Sequence, residues 1–174
     1  YTNLLYAGNI GLAQEWKLII DLAIEIKNVK IEIWIIGEGL KKPYLKSQIK
    51  KNGLNNIKLL PYLDRKYMPA LNLFADIHII AMNKKAEKYG FPSKVYTIMA
   101  SGKPMIVVSS EKTPIVSFLK NLDSALLVTD HSLFSLKKNL LTLHRSIELR
   151  NRLGNNGRAE IKNRYTKQIV IKEY

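Results

Sequence analysis

Short apolar runs alternate along the chain with segments in which apolar residues recur every three or four positions. The runs are rich in Ile, Leu and Val and occupy residues 4–7, 31–36, 57–60, 77–82, 105–108 and 125–128. Between the first two runs, Trp16, Ile19, Ile20 and Ala23 follow helical spacing. The pattern therefore predicts six buried strands separated by helices.

Strands that alternate with helices form parallel sheets that are covered on both faces. We expect an α/β fold with one domain over residues 1–174: a Rossmann-like parallel sheet of about six strands, helices on both faces and a helical C-terminus. The last helix is predicted to start near Ser132 and to continue to the end of the chain, with breaks at Gly154 and Gly157. Ligands bind such sheets in the loops that follow the strands, here residues 8–14, 37–40, 61–64, 83–94 and 109–114.

The composition indicates the cellular compartment of the protein. The 174 residues include no cysteine, which excludes disulfides and thiolate metal sites and is typical of a reducing compartment. No apolar run approaches the ~18 residues of a membrane span, and residues 1–11 lack the basic start of a signal peptide. These features predict a cytoplasmic protein. Because the chain starts at Tyr1 rather than Met, we also expect it to be part of a longer protein.

Basic residues outnumber acidic ones by 28 to 14, and two segments hold most of the excess. In residues 41–51, which contain no acid, Lys42, Lys46 and Lys50 are spaced to form a stripe on one helix face. The second segment is 137–172. A basic stripe is either a solvated helix face or a surface that attracts anionic lipid headgroups. Nucleic acid is the weaker interpretation, because the lysines lack interleaved aromatics and no nucleic-acid-binding motif is present.

Two glycine-containing loops follow the first two predicted strands. The glycines of Gly8-Asn9-Ile10-Gly11 allow a ligand to approach closely, and the helix beyond offers free N–H groups to an anion. This loop lacks the G-x-G-x-x-G fingerprint, which disfavours a dinucleotide. In Gly37-Glu38-Gly39, Glu38 either accepts hydrogen bonds from ligand hydroxyls or stabilises the start of the next helix. Each loop alone is equally typical of an ordinary turn.

A lysine lies at the start of the helix that follows the fourth strand. Ser93 is a favourable N-cap, which would leave the N–H groups of residues 94–96 pointing into the loop. Lys94 adds a positive charge where a phosphate would lie. The alternative is a capped helix with a solvent-exposed lysine. Gly102 suits the left-handed position that ends the same helix.

The three histidines do not form a recognisable site in the sequence. His78 is predicted to be a hydrogen-bonded core residue, while His131 and His144 occur in helical contexts without ligand spacing. No Ser-His-Asp order and no metal-ligand cluster can be argued. We therefore expect anion and hydroxyl binding, with no metal and no cofactor beyond the substrate.

In this order, the segments resemble the C-terminal, nucleotide-sugar-binding domain of glycosyltransferase family 4 (group 1), which has the GT-B fold. The resemblance covers nearly the whole chain and rests on residues 6–14, 35–39, 75–77, 92–94 and 99–104, with the region of Tyr165. It implies sugar transfer with retention from a UDP- or GDP-linked donor, without a metal. It also implies that the active site lies between this domain and an N-terminal acceptor domain that is absent from this chain.

The resemblance further assigns donor-binding residues. Gly8 and Gly11 would face the diphosphate, and Glu38 would lie near the donor. Tyr62 would lie along the base, and Ser93 would hold phosphate or sugar.

The family's basic pair, which clamps the diphosphate, is missing. Asn9 and Gln14 stand at the two positions where many members carry Arg and Lys. We expect Lys94 to supply the missing charge, together with Lys84, Lys85 or Lys88.

The family's two glutamates are also altered. Thr97 stands at the second position. For the first, direct counting gives Tyr89 and the context of Gly90 gives Glu87, which we favour. The expected catalytic residues are therefore Glu87 and Lys94, and the expected donor-binding residues are Gly8, Asn9, Gly11, Gln14, Gly37, Glu38, Tyr62, Ser93 and Thr97.

The resemblance implies an enzyme that builds surface polysaccharide or lipopolysaccharide on a glycan or lipid-linked acceptor, with peripheral contact at the inner face of an anionic membrane. The isolated chain is expected to bind the donor weakly and to transfer no sugar. A UDP-sugar epimerase of the same fold is an alternative, although it would need more acid–base side chains. The other alternative is a non-catalytic basic α/β module that binds nucleic acid or an anionic membrane.

Overall fold

The computed structural model describes residues 1–88 and 90–165 of the chain. Its strands are β1 (Thr2–Ala7), β2 (Ile31–Ile36), β3 (Ile57–Leu60), β4 (Ile77–Ala81), β5 (Met105–Val108) and β6 (Ala125–Val128). They form one six-stranded sheet in the order β3-β2-β1-β4-β5-β6. Every pairing is parallel, which confirms the predicted Rossmann-like sheet.

Helices cover both faces of the sheet. They are α1 (Trp16–Glu25), α2 (Lys42–Lys51), α3 (Met68–Phe74), α4 (Lys94–Ser101), α5 (Pro114–Leu119), α6 (Leu133–Arg145) and α7 (Ile147–Arg164). Side chains on one face of the sheet, such as Ile79, share a core with α1, α2 and α6. Those on the other face, such as Ile80 and Leu5, pack with α3, α4 and α5. Because the strands are buried on both faces, their sequences are apolar runs rather than alternating patterns.

The strand order reverses between β1 and β4, which are neighbours in the sheet. The loops that follow these two strands therefore open side by side at the carboxyl edge of the sheet. Such a reversal point is where open α/β sheets bind ligands. The fold thus brings the first glycine loop next to the loop that carries Glu87 and Lys94.

The C-terminal helical region departs from the prediction. The chain breaks at Ser146, whose side chain accepts a hydrogen bond from the Leu149 amide and begins α7. Helix α7 then runs through Gly154 and Gly157, so the predicted breaks there are wrong. A Cβ at Gly154 would overlap the Gly102 carbonyl, and Gly157 packs against Met99. Both glycines allow close helix packing. The predicted continuation past residue 165 lies outside the described residues.

The lysine stripe on α2 is only partly a solvated face. Lys46 and Lys50 are exposed, but the Lys42 side chain is 12% exposed and donates hydrogen bonds to the Gly37 and Leu60 carbonyls. The first lysine of the predicted stripe is therefore part of the loop structure. Among the described residues, no helix combines the length and apolar character needed to cross a membrane.

Candidate functional site

The two glycine loops at the carboxyl edge form one unit. The Ile10 amide donates to the Glu38 carbonyl at 2.7 Å, and the Lys41 amide donates to the Ile10 carbonyl at 2.9 Å. Gly37 has a φ of +156°, and a side chain there would overlap the Gly8 carbonyl. Glycine is required at this position because the two backbones pass within contact distance. The second loop therefore supports the first, and Gly37 acts as a packing residue.

Two aromatic side chains donate hydrogen bonds to carbonyls of the first loop. The Tyr6 hydroxyl donates to the Asn9 carbonyl at 2.6 Å, and the Trp16 indole N–H donates to the Gly11 carbonyl at 2.8 Å. The two rings meet edge to face with centroids 4.8 Å apart. The sequence predicts Tyr6 as a strand residue and Trp16 as a helix residue. Only their positions beside the glycine loop indicate this further role.

The first loop is also joined to the end of β4. The Glu15 amide donates to the Ala81 carbonyl at 3.0 Å, and the Asn83 amide donates to the Ala13 carbonyl at 2.9 Å. The Gln14 side chain turns back and accepts from the Gly11 amide at 3.1 Å. Gln14 therefore shapes the loop, and it carries no charge with which to hold a phosphate.

A hollow of about 210 Å³ lies between this loop and the segment after β4. Its walls come from the end of β1, the first loop, the end of β4 and the start of α4, and include Tyr6, Gln14, Met82, Ala86, Phe91, Pro92 and Lys94. The hollow thus contains two of the predicted residues, Gln14 and Lys94. It is bordered by a third, because Gly8 lies against the Lys94 ammonium.

Lys94 is held in this hollow by neutral groups. Its Nζ donates to the Ala7 carbonyl at 3.0 Å and lies 4.3 Å from the centroid of the Tyr6 ring. Within the described chain no carboxylate forms an ion pair with it. Burial lowers the pKa of the Lys94 ammonium to about 8. Lys94 therefore lies in the hollow at the carboxyl edge of the sheet, as the sequence predicts. The alternative, a solvent-exposed lysine, is wrong.

Ser93 does not act as predicted. It precedes α4, but its side chain makes no capping hydrogen bond. The amides of Val95 and Tyr96 donate to the carbonyls of Pro92 and Ser93. The first turn of α4 is therefore closed by its own backbone, and the expected row of free N–H groups at residues 94–96 is not formed. Gly102 does end this helix in the left-handed conformation, at φ +71°.

Thr97 and Lys94 face different hollows. The Thr97 hydroxyl donates to the Lys94 carbonyl at 2.9 Å, so it is bonded within its own helix. Its side chain lines a larger hollow of about 630 Å³ between α3 and α4, with Arg65 and Arg158 at its edge. Tyr62, which follows β3, is 58% exposed. Neither Thr97 nor Tyr62 lines the smaller hollow around Lys94.

Glu38 lies at the rim of the two-loop unit and is paired. Its carboxylate accepts from Lys42 Nζ at 2.5 Å, and the glutamate side chain is 58% exposed. Asn9 and Gly11 line a separate open hollow with Gly39 and Leu40. Lys94 does not line this open hollow.

The other lysines of the loop after β4 do not join Lys94. Lys85 and Lys88 are exposed. Lys84 lines a further hollow together with Glu15, Asp21 and Asp130. Lys94 is thus the predicted basic residue that the structure brings to the small hollow.

Glu87 is buried in a polar cluster behind the hollow. It lies in the single helical turn Ala86–Lys88 and is 3% exposed. Its carboxylate accepts from the Ser110 amide at 2.8 Å and from the Ser110 hydroxyl, with the Ser109 hydroxyl at 3.2 Å. Burial alone would raise the pKa of Glu87, but these hydrogen bonds and the neighbouring His131 outweigh it, so the pKa is lowered.

His131 completes that cluster, which corrects the prediction of a helical context. It lies before α6 with a φ of +54°, and its Nε2 is 3.0 Å from Glu87 Oε2. His78 is the buried, hydrogen-bonded core histidine that was predicted, with Nε2 at 3.3 Å from the Asn72 carbonyl. Across residues 1–88 and 90–165, no group of three or more His, Asp or Glu side chains is arranged to hold a metal ion.

Comparison with known proteins agrees with this architecture. The family model described as Glycosyl transferases group 1 matches residues 2–160. Among curated proteins, the chain is 28% identical over 110 residues to WcaI of Escherichia coli (strain K12), a glycosyl transferase assigned to colanic acid biosynthesis. That match covers 63% of this chain and 27% of WcaI, so the chain spans only part of its relative.

Solved structures share the fold at low sequence identity. HepE from Anabaena, determined with UDP and glucose, aligns with a TM-score of 0.80 at 18% identity, covering 98% of this chain and 47% of HepE. The C-terminal domain of the group 1 glycosyl transferase LpcC from Francisella tularensis aligns with a TM-score of 0.76 at 20% identity, covering 97% of this chain and 87% of that one. Since the family model spans nearly the whole described chain, the protein belongs to the group 1 glycosyl transferases.

Proposed function

We propose that this chain is the donor-binding domain of a glycosyltransferase, whose full-length form transfers a sugar from a nucleoside-diphosphate sugar to a glycan or lipid-linked acceptor. Lys94 is the observation that carries the proposal. Its ammonium contacts a carbonyl and an aromatic ring, and no described carboxylate pairs with it. A partly buried cation without an anion is unfavourable, and a diphosphate would supply the missing charge.

The proposed chemistry is electrostatic. When the bond between the sugar and the diphosphate breaks, negative charge develops on the departing phosphate. A lysine already fixed beside that oxygen stabilises the charge without reorganising during the reaction. We propose that the donor is UDP- or GDP-linked and that transfer proceeds with retention. The role of Lys94 calls for no metal ion or further cofactor.

We propose that the donor lies along the first loop. Gly8 borders the Lys94 ammonium and permits a diphosphate to approach the backbone. The open hollow beside this loop is lined by Asn9 and Gly11. We propose that the Glu38 carboxylate at the rim accepts hydrogen bonds from ligand hydroxyls. We propose that the nucleoside extends from the phosphate towards Tyr62 and Thr97, which lie outside the small hollow.

The acceptor side of the proposed active site belongs to a second domain. HepE and WcaI are each more than twice as long as the matched part of this chain. LpcC shows that a domain of this kind is crystallised as a C-terminal unit. We propose that an N-terminal acceptor domain completes the enzyme, and that the isolated chain transfers no detectable sugar.

We propose a role in surface polysaccharide or lipopolysaccharide synthesis, at the cytoplasmic face of the membrane. WcaI and the structurally similar WaaG are named for colanic acid and lipopolysaccharide biosynthesis respectively. The exposed lysines of α2, Lys46 and Lys50, supply positive charge that would attract anionic headgroups. Vesicle co-sedimentation of the chain with anionic lipid, compared with neutral lipid, tests this part of the proposal.

Calorimetric titration of the chain with UDP, GDP and a short DNA oligonucleotide tests the donor-binding proposal. We expect one nucleoside diphosphate to bind saturably. Lys94→Met should weaken that binding by about tenfold or more, because a charge-assisted contact to phosphate is lost. Lys85→Met is the matched control, since it removes an exposed lysine from the same loop, and it should leave the affinity unchanged.

Two outcomes would contradict the proposal. Binding of the oligonucleotide alone, with an affinity that falls steeply with salt, would favour the basic nucleic-acid module. Sugar transfer by the isolated chain would contradict the two-domain active site.

A further inference from the structure

The loop between β4 and α4 forms one wall of the Lys94 hollow. Ala86, Phe91 and Pro92 line that wall, whereas Glu87 is not among the lining residues. The Glu87 side chain is 4% exposed and lies within the cluster behind the wall. Its carboxylate is therefore separated from the hollow by the segment that carries it.

The Glu87 carboxylate already has several polar partners within the protein. The Ser110 amide, the Ser109 hydroxyl and His131 Nε2 contact its Oε2, and the Ser110 hydroxyl contacts its Oε1. Because Glu87 is only 3% exposed, these contacts rather than solvent satisfy the carboxylate. Glu87 is thus arranged to hold loops together rather than to contact a substrate.

Among the residues that contact the Glu87 carboxylate, His131 is the most distant in the chain. It follows β6, its side chain is 8% exposed, and its Nε2 lies 3.0 Å from Glu87 Oε2 and 3.3 Å from the Ser110 hydroxyl. Because an ionised carboxylate only accepts, Nε2 must carry the proton. Nδ1 is buried without a hydrogen-bond partner among the described residues. The imidazole is therefore oriented by Glu87 and Ser110 alone within that part of the chain.

The backbone of His131 is strained in support of this contact. A φ of +54° places a residue with a Cβ in the left-handed region. Such conformations are unfavourable for residues other than glycine and persist when surrounding contacts fix them. Here the contact that fixes the ring joins three loops at the carboxyl edge, those after β4, β5 and β6.

We propose that His131 is a positioning residue: through Glu87 it fixes the loop between β4 and α4, and so sets the wall of the donor hollow and the position of Lys94. Glu87 acts from behind this wall and does not touch the substrate. The role in donor binding rests on the proposed function, whereas the ordering of the loop does not.

The first test uses the unmodified chain. Nitrogen-15 NMR of the imidazole is expected to show His131 protonated at Nε2, with that proton protected from exchange with water. Protonation at Nδ1 alone would overturn the proposal, because the contact to Glu87 could not form.

The second test compares two substitutions. His131→Leu removes the donor, and we expect amide exchange in residues 83–88, 90, 91 and 93 to rise about tenfold or more, while exchange in α1 is unchanged. UDP affinity should fall by about tenfold. His131→Gln retains a donor that can reach Glu87, and it should restore both properties, which a mere loss of packing would not permit.

The outcomes separate the two proposals. If the chain binds no nucleoside diphosphate, the proposed function fails, and the exchange of the loop still decides whether His131 positions it. If His131→Leu leaves loop exchange as in the unmodified chain, or if His131→Gln is no better than His131→Leu, the positioning role is wrong.

Discussion

Glu87 and Lys94 are charged residues only seven positions apart in the chain, and they differ in the partners that surround their charges. The Glu87 carboxylate is surrounded by hydrogen-bond donors from the loops after β5 and β6. The Lys94 ammonium has a carbonyl and a ring, and within the described chain no anion. A buried charge whose partners are all internal stabilises structure, whereas a buried charge without a counterion is available to a ligand.

The shifts in pKa express the same difference. The cluster lowers the pKa of Glu87 despite its burial, so the carboxyl stays ionised within the protein. Burial lowers the pKa of Lys94 to about 8, since nothing among its neighbours compensates the cost of desolvation. Both groups are charged at neutral pH, but only the lysine would gain from an added partner.

The largest effect that tests this contrast is on stability. Glu87→Gln removes the buried negative charge and leaves one acceptor oxygen for the groups that contact the carboxylate, and we expect a loss of about 3 kcal/mol in the free energy of unfolding. Glu111→Gln is the matched control, because that carboxylate pairs with Lys120 near the surface and should matter little. Lys94→Met loses the hydrogen bond to the Ala7 carbonyl but also removes a desolvated charge, so we expect it to cost no more than about 1 kcal/mol. Urea unfolding measures all three, and equal losses for Glu87→Gln and Glu111→Gln would contradict the contrast.

His78 provides a third buried titratable group, one that stays neutral. Burial lowers its pKa from 6.5 to about 4, with a smaller opposing contribution from the hydrogen bond to the Asn72 carbonyl. As the pH falls from about 6.5 towards 4, the unfolded chain takes up a proton that the folded chain does not. Stability should therefore fall by on the order of 1.4 kcal/mol per pH unit across that window.

Urea unfolding at several pH values checks the His78 prediction. His78→Leu should be less stable at neutral pH, because the Asn72 carbonyl loses its partner, but its stability should change less between about pH 6.5 and 4.5. An unchanged slope in His78→Leu would assign the acid sensitivity to other groups.

The strands could be predicted because strands buried on both faces are runs of consecutive apolar residues. Four predicted runs, 31–36, 57–60, 105–108 and 125–128, match the observed strands. Gly154 and Gly157 show the limit of this approach. Glycine disfavours a helix by about 1 kcal/mol, which predicts a break. Close packing of α7 on Gly102 and Met99 overrides that preference. Gly102 and Met99 are more than 50 residues away in the chain, so the local sequence around the glycines does not indicate this packing.

The candidate site divides in the same way. The position of Lys94 follows from its local sequence, because a residue at the start of a helix after a parallel strand lies at the carboxyl edge. The cluster around Glu87 does not, since Ser110 and His131 are joined to it only by the order β4-β5-β6 of the sheet. Glu87 was predicted to be catalytic because it matches the family's first glutamate in the context of Gly90. Its hydrogen-bond partners from the loops after β5 and β6 are evident only in the tertiary structure.

The pH dependence of binding tests Lys94 more finely. With a pKa of about 8, the ammonium is charged at pH 7 and largely neutral at pH 9. If its charge binds the diphosphate, UDP affinity should fall by up to about tenfold between those two pH values. Lys94→Met should bind weakly and with little change over the same range, and calorimetry at the two pH values measures both. A parallel fall in Lys94→Met would assign the dependence to another group.

The smallest expected effect concerns Glu38 and Lys42 at the rim. Glu38 is 58% exposed, so its ion pair should contribute no more than about 0.5 kcal/mol, and Glu38→Gln should unfold almost as the unmodified chain does. Lys42→Met should cost about 1 kcal/mol, because its ammonium also bonds to the Gly37 and Leu60 carbonyls. If UDP affinity falls in Glu38→Gln while stability does not, this carboxylate contacts the ligand. It would then belong with Lys94 rather than with Glu87, although it already has an internal partner.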